Sequence, residues 1–200
     1  VLIPEGKVAR GKLAASAMYG AKIIQIKGSF DDALRIVQTL SKNLPVTLVN
    51  SVNPNRLEGQ KTAAFEIVDR LGSAPDYLCI PLGNAGNITA YYEGFKAYKK
   101  GLPKLIGVQA EGSAPLVDGK IVKNPETIAT AIRIGNPVRG KQAIKAIKDT
   151  RGKLISVSDD EILKAQKILA SEGIWVEPAS AAGLAGLIKE SKKFNLEKKV

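Results

Sequence analysis

The chain has 200 residues, 44% of them hydrophobic, a length that allows one large domain or two small ones. It has one cysteine and no histidine, so an internal disulfide and any histidine-based catalytic site are excluded. Its net charge is +11, but basic residues are scattered through all predicted helices and only 5% of residues are aromatic, so a solvated surface is favoured over a nucleic-acid site. No apolar stretch approaches the ~18 residues that suggest a membrane span, and Cys79, inside an apolar run, is interpreted as a core residue of a protein from a reducing compartment.

Strands and helices alternate along the first 50 residues. The pattern predicts strands at 1–3, 21–26 and 46–49, and helices at 6–19 and from Ser29 onward. Ser29 with Asp32 three residues later is a capping box, which marks the start of a helix.

The alternation continues to the end of the chain. Apolar periodicity predicts strands at 77–82, 105–110 and 154–157 and helices at 58–71, 88–98, 125–132, 141–148 and 158–172. The last of these helices has Ser158 and Glu161 as a capping box and Ile162, Ala165, Ile168 and Leu169 as its core face. Strands that alternate with helices predict an α/β fold with mainly parallel sheets and helices on both faces.

The stretch between strand 77–82 and the following helix is rich in glycine and asparagine. It reads Gly83-Asn84-Ala85-Gly86-Asn87, residue types that favour turns with positive φ. A strand, such a turn and a helix together direct free backbone N–H groups at an anion. The sequence therefore predicts a phosphate site here, with an ordinary β–α turn as the alternative.

Two further segments stand at predicted strand ends or helix starts. Residues 50–56 contain Asn50, Ser51 and Arg56, and an arginine can bind a phosphate or carboxylate in bidentate fashion; the alternative is a polar loop. In residues 177–186, small residues allow close packing against a sheet or a flat ligand. Glu177 and Ser180 are then either ligand contacts or helix caps.

Four long motifs, in this order, resemble those of the threonine synthase family, pyridoxal-phosphate enzymes with the tryptophan-synthase-β fold (fold type II). They are residues 50–62, 81–89, 125–137 and 177–183, and the resemblance covers essentially the whole chain.

The resemblance implies pyridoxal 5′-phosphate as the cofactor and O-phosphohomoserine as the substrate, which water converts to threonine and phosphate. The matching cofactor-binding positions are Gly83, Asn84, Ala85, Gly86, Asn87, Thr89, Glu177 and Ser180. The matching positions for the substrate phosphate are Asn50, Ser51, Arg56 and Asn84.

The resemblance also implies an organisation in two domains. Residues 1–47 would be part of the smaller inserted domain and residues 48–200 part of the larger one, so that this chain is an internal portion of the enzyme. No lysine lies in a motif that matches the setting of the family's Schiff-base lysine, so that lysine is expected upstream of Val1, and Lys61 is interpreted as a cation at a helix start. A cytoplasmic homodimer that binds neither nucleic acid nor membrane is expected for the complete enzyme.

Two other functions are compatible with the residues. A threonine or serine dehydratase of the same fold has a comparable cofactor site but no need of a second phosphate site. A non-catalytic phosphate- or RNA-binding module would use the basic charge itself, and its binding would depend strongly on salt.

Overall fold

The computed structural model describes residues 1–6, 10–50 and 53–191, without the side chains of Arg10, Lys12 and Asp31. The chain forms two compact units, Val1–Asn50 and Ser51–Val200. Each unit has its own parallel sheet, as the alternation of elements predicted.

The first unit is small. It contains strands β1 (Leu2–Pro4) and β2 (Ile24–Ile26), which pair in parallel, and helices α1 (Arg10–Met18) and α2 (Phe30–Asn43). The predicted capping box is confirmed: the Ser29 hydroxyl accepts the Asp32 N–H, and the Asp32 carboxylate accepts the Ser29 N–H. The hydrogen bonds from Ser29, together with Arg35, lower the pKa of Asp32 to about 2.

The predicted strand at 46–49 is wrong. Residues 46–49 have no regular structure, and Val46 and Val49 are exposed to 51% and 76%. A strand needs a ladder partner, and the sheet of this unit, as far as the structure describes it, consists of β1 and β2 alone.

The second unit carries a three-stranded parallel sheet. Its elements, in order, are α3 (Pro54–Gln60), α4 (Thr62–Leu71), β3 (Tyr77–Pro81), α5 (Gly86–Tyr98), β4 (Lys104–Ala110), α6 (Pro115–Asp118), a 3₁₀ turn (Thr130–Ile132), α7 (Gly140–Asp149), β5 (Lys153–Val157), α8 (Asp159–Ser171) and α9 (Pro178–Glu190). The strand order is β3-β4-β5.

Helices cover both faces of this sheet, as predicted. Along β4, Ile106, Val108 and Ala110 pack with α8 and α9, whereas Leu105 packs with α5 and α7. This is the two-residue alternation of a strand that is buried on both faces.

The small residues of α9 confirm the predicted close approach to the sheet. A methyl group on Gly183 would lie 3.1 Å from the Cys79 carbonyl oxygen, and one on Gly186 would lie 2.5 Å from a Val108 methyl. Helix α9 therefore lies so close to the sheet that only glycine fits at these two positions without a shift of the neighbouring atoms.

Three predicted details of the second unit are wrong. The helix predicted at 58–71 is two helices, α3 and α4, that meet at Lys61. Within residues 125–132 only Thr130–Ile132 form a helical turn, of the 3₁₀ type. The N–H groups that α-helical bonds would use have other acceptors: Ile128 donates to the Asp159 carboxylate, Ala129 to the Thr127 hydroxyl and Thr130 to the Ile128 carbonyl. Ile168, assigned to the core face of α8, is 47% exposed.

Candidate functional site

The Gly83–Asn87 segment joins the carboxyl end of β3 to the amino end of α5. Positive φ falls on Ala85, at 64°, and not on the glycines or asparagines that the sequence favoured for it. Gly83 serves a different purpose: a methyl group there would lie 3.0 Å from Ile132 Cα and 3.2 Å from the Ala131 carbonyl oxygen. The turn is thus packed directly against the 3₁₀ turn.

The hydrogen-bond acceptors of this turn are engaged by the protein. The Asn84 side-chain oxygen accepts the Val138 N–H at 3.1 Å, and the Asn84 backbone oxygen accepts the Arg139 N–H at 3.3 Å. The Ala85 carbonyl accepts the Thr89 hydroxyl at 2.6 Å. The turn therefore presents few acceptors to a ligand.

The backbone donors are the opposite case. In the described part of the chain, no acceptor pairs with the backbone N–H groups of residues 83–88, which we call the donor turn. Most of these residues are buried, and a buried N–H without a partner is costly. A site with donors and few acceptors, at the positive end of a helix, is suited to an anion.

Arg56 lies in α3, which packs against α5. The Lys61 carbonyl lies against Gly94, and Phe65 stacks on Tyr98 at a centroid distance of 5.0 Å, so α4 follows the direction of α5. Helix α3, which carries Arg56, joins α4 at Lys61. The Arg56 side chain is exposed, and no ion pair holds it within the described ranges.

The other predicted site residues belong to other segments of the chain. Asn50 is the last residue of the first unit, and Ser51 lies outside the described residues. Glu177 is the N-cap residue of α9, and both it and Ser180 are exposed. The Ser180 N–H donates to the Glu177 carbonyl at 3.0 Å.

The side chains of Cys79 and Lys61, a potential nucleophile and a potential amine, have structural roles. Burial raises the pKa of the Cys79 thiol to about 11, with a smaller contribution from Glu190, as expected of a core cysteine. The Lys61 ammonium pairs with Glu58 at 2.7 Å at the junction of α3 and α4, which agrees with the predicted cation at a helix start.

The sequence reasoning missed two buried polar residues beside the donor turn. The Gln109 amide group donates to the Leu82 carbonyl, and the Ser113 hydroxyl accepts the Ile134 N–H. Both side chains are fully buried. The only sequence signal was a polar residue inside the apolar run of β4, a feature that strands far from any binding site also show.

Metal-binding clusters and membrane-spanning helices are both absent from the described ranges. Among those residues, no group of three or more acidic, cysteine or histidine side chains is arranged to hold a metal ion. In the same part of the chain, no helix combines the length and the apolar character needed to cross a bilayer.

Comparison with known proteins connects this geometry to a family. The family described as "Pyridoxal-phosphate dependent enzyme" matches residues 1–200. Threonine synthase of Synechocystis sp. is 60% identical over 95% of this chain and 51% of its own length, and that of Halalkalibacterium halodurans is 55% identical over 99% of this chain and 57% of its own length. The chain thus spans about half the length of the curated relatives that it matches.

Solved structures agree on the fold. Threonine synthase from Escherichia coli superposes with a TM-score of 0.77 at 23% identity, over 94% of this chain and 49% of that one. Maize serine racemase gives 0.79 at 22% identity, over 98% of this chain and 60% of that one. The parallel sheets and the donor turn are consistent with the family match over residues 1–200, and the chain belongs to the pyridoxal-phosphate dependent enzyme family.

Proposed function

We propose that this chain is part of a threonine synthase, a lyase of threonine biosynthesis that uses pyridoxal 5′-phosphate to convert O-phosphohomoserine and water into threonine and phosphate. The donor turn carries the proposal, because it offers a phosphate several N–H groups that are unpaired among the described residues. The 54–60% identity with threonine synthases supports this activity over others in the family.

The donor turn fits the phosphate group of the cofactor. A phosphate oxygen accepts hydrogen bonds and donates none in its dianionic form, and the turn offers donors while its acceptors are engaged. The phosphate would be held by the backbone N–H groups of Gly83, Asn84, Ala85, Gly86 and Asn87. The Thr89 hydroxyl donates to the Ala85 carbonyl and so fixes the backbone of the turn. When bound, the cofactor supplies the electron sink for charge that develops on the substrate carbons.

The substrate phosphate is assigned to a second group of donors, Asn50, Ser51, Arg56 and Asn84. Arg56 has no ion-pair partner in the described ranges, and its guanidinium can bind two phosphate oxygens at once. Since the Asn84 side-chain oxygen is taken by Val138, the contribution of Asn84 is through its side-chain N–H₂ group. Such donors stabilise phosphate as it leaves with its negative charge.

The remaining assignments follow the same proposal. Glu177 and Ser180 lie near the cofactor ring, residues 1–47 belong to the smaller domain and residues 48–200 to the larger one. No lysine of this chain is assigned as the one that forms the Schiff base. The complete enzyme is a cytoplasmic homodimer.

Arg56→Ala in the full-length protein tests the substrate assignment. Removing a charge-assisted pair should raise KM for O-phosphohomoserine about 10- to 100-fold, with a small change in the affinity for pyridoxal phosphate. Arg70→Ala is the matched control, because Arg70 is an exposed arginine in the last turn of α4 and should leave KM unchanged.

The same assay separates the enzyme classes. Unchanged KM in Arg56→Ala would remove Arg56 from the site. Release of ammonia from threonine or serine as the main activity of the wild-type protein, without turnover of O-phosphohomoserine, would assign a dehydratase instead.

A further inference from the structure

We infer that Gln109 and Ser113 are positioning residues that hold the donor turn in its anion-binding geometry; this inference rests on the proposed role of the turn. Both side chains are fully buried, neither reaches solvent, and both make hydrogen bonds to backbone groups that flank the turn.

Gln109 holds the turn where it leaves the sheet. Its Nε2 donates to the carbonyl oxygen of Leu82, the residue before Gly83, at 3.4 Å. The N–H of Leu82 donates to the Val108 carbonyl at 2.7 Å. Strand β4 therefore fixes both backbone groups of Leu82, although β3 itself ends at Pro81.

The other end of the Gln109 side chain is anchored to α6. Its Oε1 accepts the N–H groups of Leu116 and Val117 at 2.9 and 3.3 Å. A carboxamide that is held at its oxygen has little freedom to rotate, so its nitrogen is aimed at Leu82 by the protein.

Ser113 fixes the surface against which the turn packs. Its Oγ accepts the Ile134 N–H at 2.9 Å and lies 3.1 Å from the Ile134 carbonyl and 3.3 Å from the Ile132 carbonyl, to which the hydroxyl can donate. Ile132 is the residue whose Cα would lie 3.0 Å from a methyl group on Gly83. Loss of the Ser113 hydroxyl therefore loosens the backbone at Ile132 and Ile134, against which Gly83 packs.

Simple satisfaction of buried polar groups would have a different signature. A side chain that only satisfies the backbone stabilises the whole fold, and its loss weakens every ligand alike. A side chain that orders the donor turn affects the phosphate of the ligand, because backbone amides bind it only when they converge. Pyridoxal phosphate and pyridoxal, which lacks the phosphate, distinguish the two cases.

The test uses the full-length protein freed of cofactor, with pyridoxal phosphate and pyridoxal titrated separately by calorimetry. Gln109→Met and Ser113→Ala should each lower the affinity for pyridoxal phosphate about tenfold, while the affinity for pyridoxal changes by less than about twofold. Ser113→Ala is the smaller change and carries the test if Gln109→Met does not fold.

Thr150→Val is the matched control. Thr150 is also buried, and its hydroxyl accepts the Leu105 N–H at 3.3 Å, but it lies at the opposite end of β4. The variant loses comparable hydrogen bonds and should lower both affinities equally or not at all.

Gly83→Ala separates the inference from the function on which it rests. If Gly83→Ala selectively weakens pyridoxal phosphate and the Gln109 and Ser113 variants do not, the positioning role is refuted and the donor turn stands. The positioning role is also refuted if those two variants weaken both ligands equally. If Gly83→Ala leaves the preference for the phosphorylated ligand intact, the phosphate lies elsewhere and the proposed role of the donor turn fails together with the inference.

Discussion

Gly94 on α5 packs closely against the junction of α3 and α4, and Gly94→Ala measures what that contact is worth. A methyl group there would lie 2.6 Å from the Lys61 carbonyl oxygen and 2.8 Å from Ala64 Cβ. Ordinary van der Waals contact begins at 3.4 Å, so the first distance is about 0.8 Å too short. The Lys61 oxygen is backbone, and it also accepts the Ala64 N–H, so a rotamer change cannot relieve the clash.

Two opposing terms set the expected magnitude. Overpacking of this kind costs about 1–3 kcal/mol, and alanine in a helix returns about 1 kcal/mol relative to glycine. We therefore expect Gly94→Ala to lower the free energy of unfolding by up to about 2 kcal/mol. The clash displaces the junction of α3 and α4 at Lys61. Because α3 carries Arg56, we also expect the substrate phosphate to interact more weakly with Arg56.

Gly59→Ala is the control, because a methyl group on Gly59 of α3 meets nothing within 4 Å. It should stabilise the protein by up to about 1 kcal/mol. Urea denaturation of both variants in the full-length protein gives the comparison, at equal cofactor saturation. A Gly94→Ala variant that is as stable as Gly59→Ala would refute the packing argument.

Two predictions concern ionisable side chains of the second unit. Burial and the hydrogen bond to Asp149 raise the pKa of Tyr92 to about 12, above the value of about 10 in an unfolded chain. The contribution of Tyr92 to stability is therefore complete below pH 10 and is lost between pH 10 and 12. Tyr92→Phe should lower the urea midpoint at pH 8 and should make the midpoint fall less between pH 10 and 12; an unchanged fall would exclude Tyr92 as its cause. Burial raises the pKa of Cys79 to about 11, so iodoacetamide at pH 8 should label it much faster in urea than in the folded protein, and equal rates would contradict its assignment to the core.

Local signals in the sequence predicted the helices whose starts depend on neighbouring residues. The capping boxes that begin α2 and α8 each lie within four residues, and the structure reproduces both. The helix predicted at 125–132 is absent, and the Ile128 N–H, which would make an early bond of that helix, donates instead to Asp159, some 30 residues further along the chain. Apolar periodicity contains no information about such a distant partner.

The donor turn shows the same limit at the level of single residues. Its composition predicted an anion site, on the argument that glycine and asparagine accept positive φ, yet Ala85 adopts that conformation. The glycine at 83 is required instead by its contact with Ile132, a residue 49 positions later in the chain. The anion site stays a prediction, and the backbone conformation on which it was argued belongs to a different residue of the turn.

The position of Ala85 also bears on whether the turn is preformed. An alanine in the left-handed region costs about 1–2 kcal/mol, and such strain persists only where the surroundings fix the backbone. Here they do so on both sides of Ala85: Asn84 is held by Val138 and Arg139, and the Ala85 carbonyl is held by Thr89. None of these contacts uses the N–H groups of the donor turn, so the geometry that an anion would meet is maintained by the protein before any anion binds.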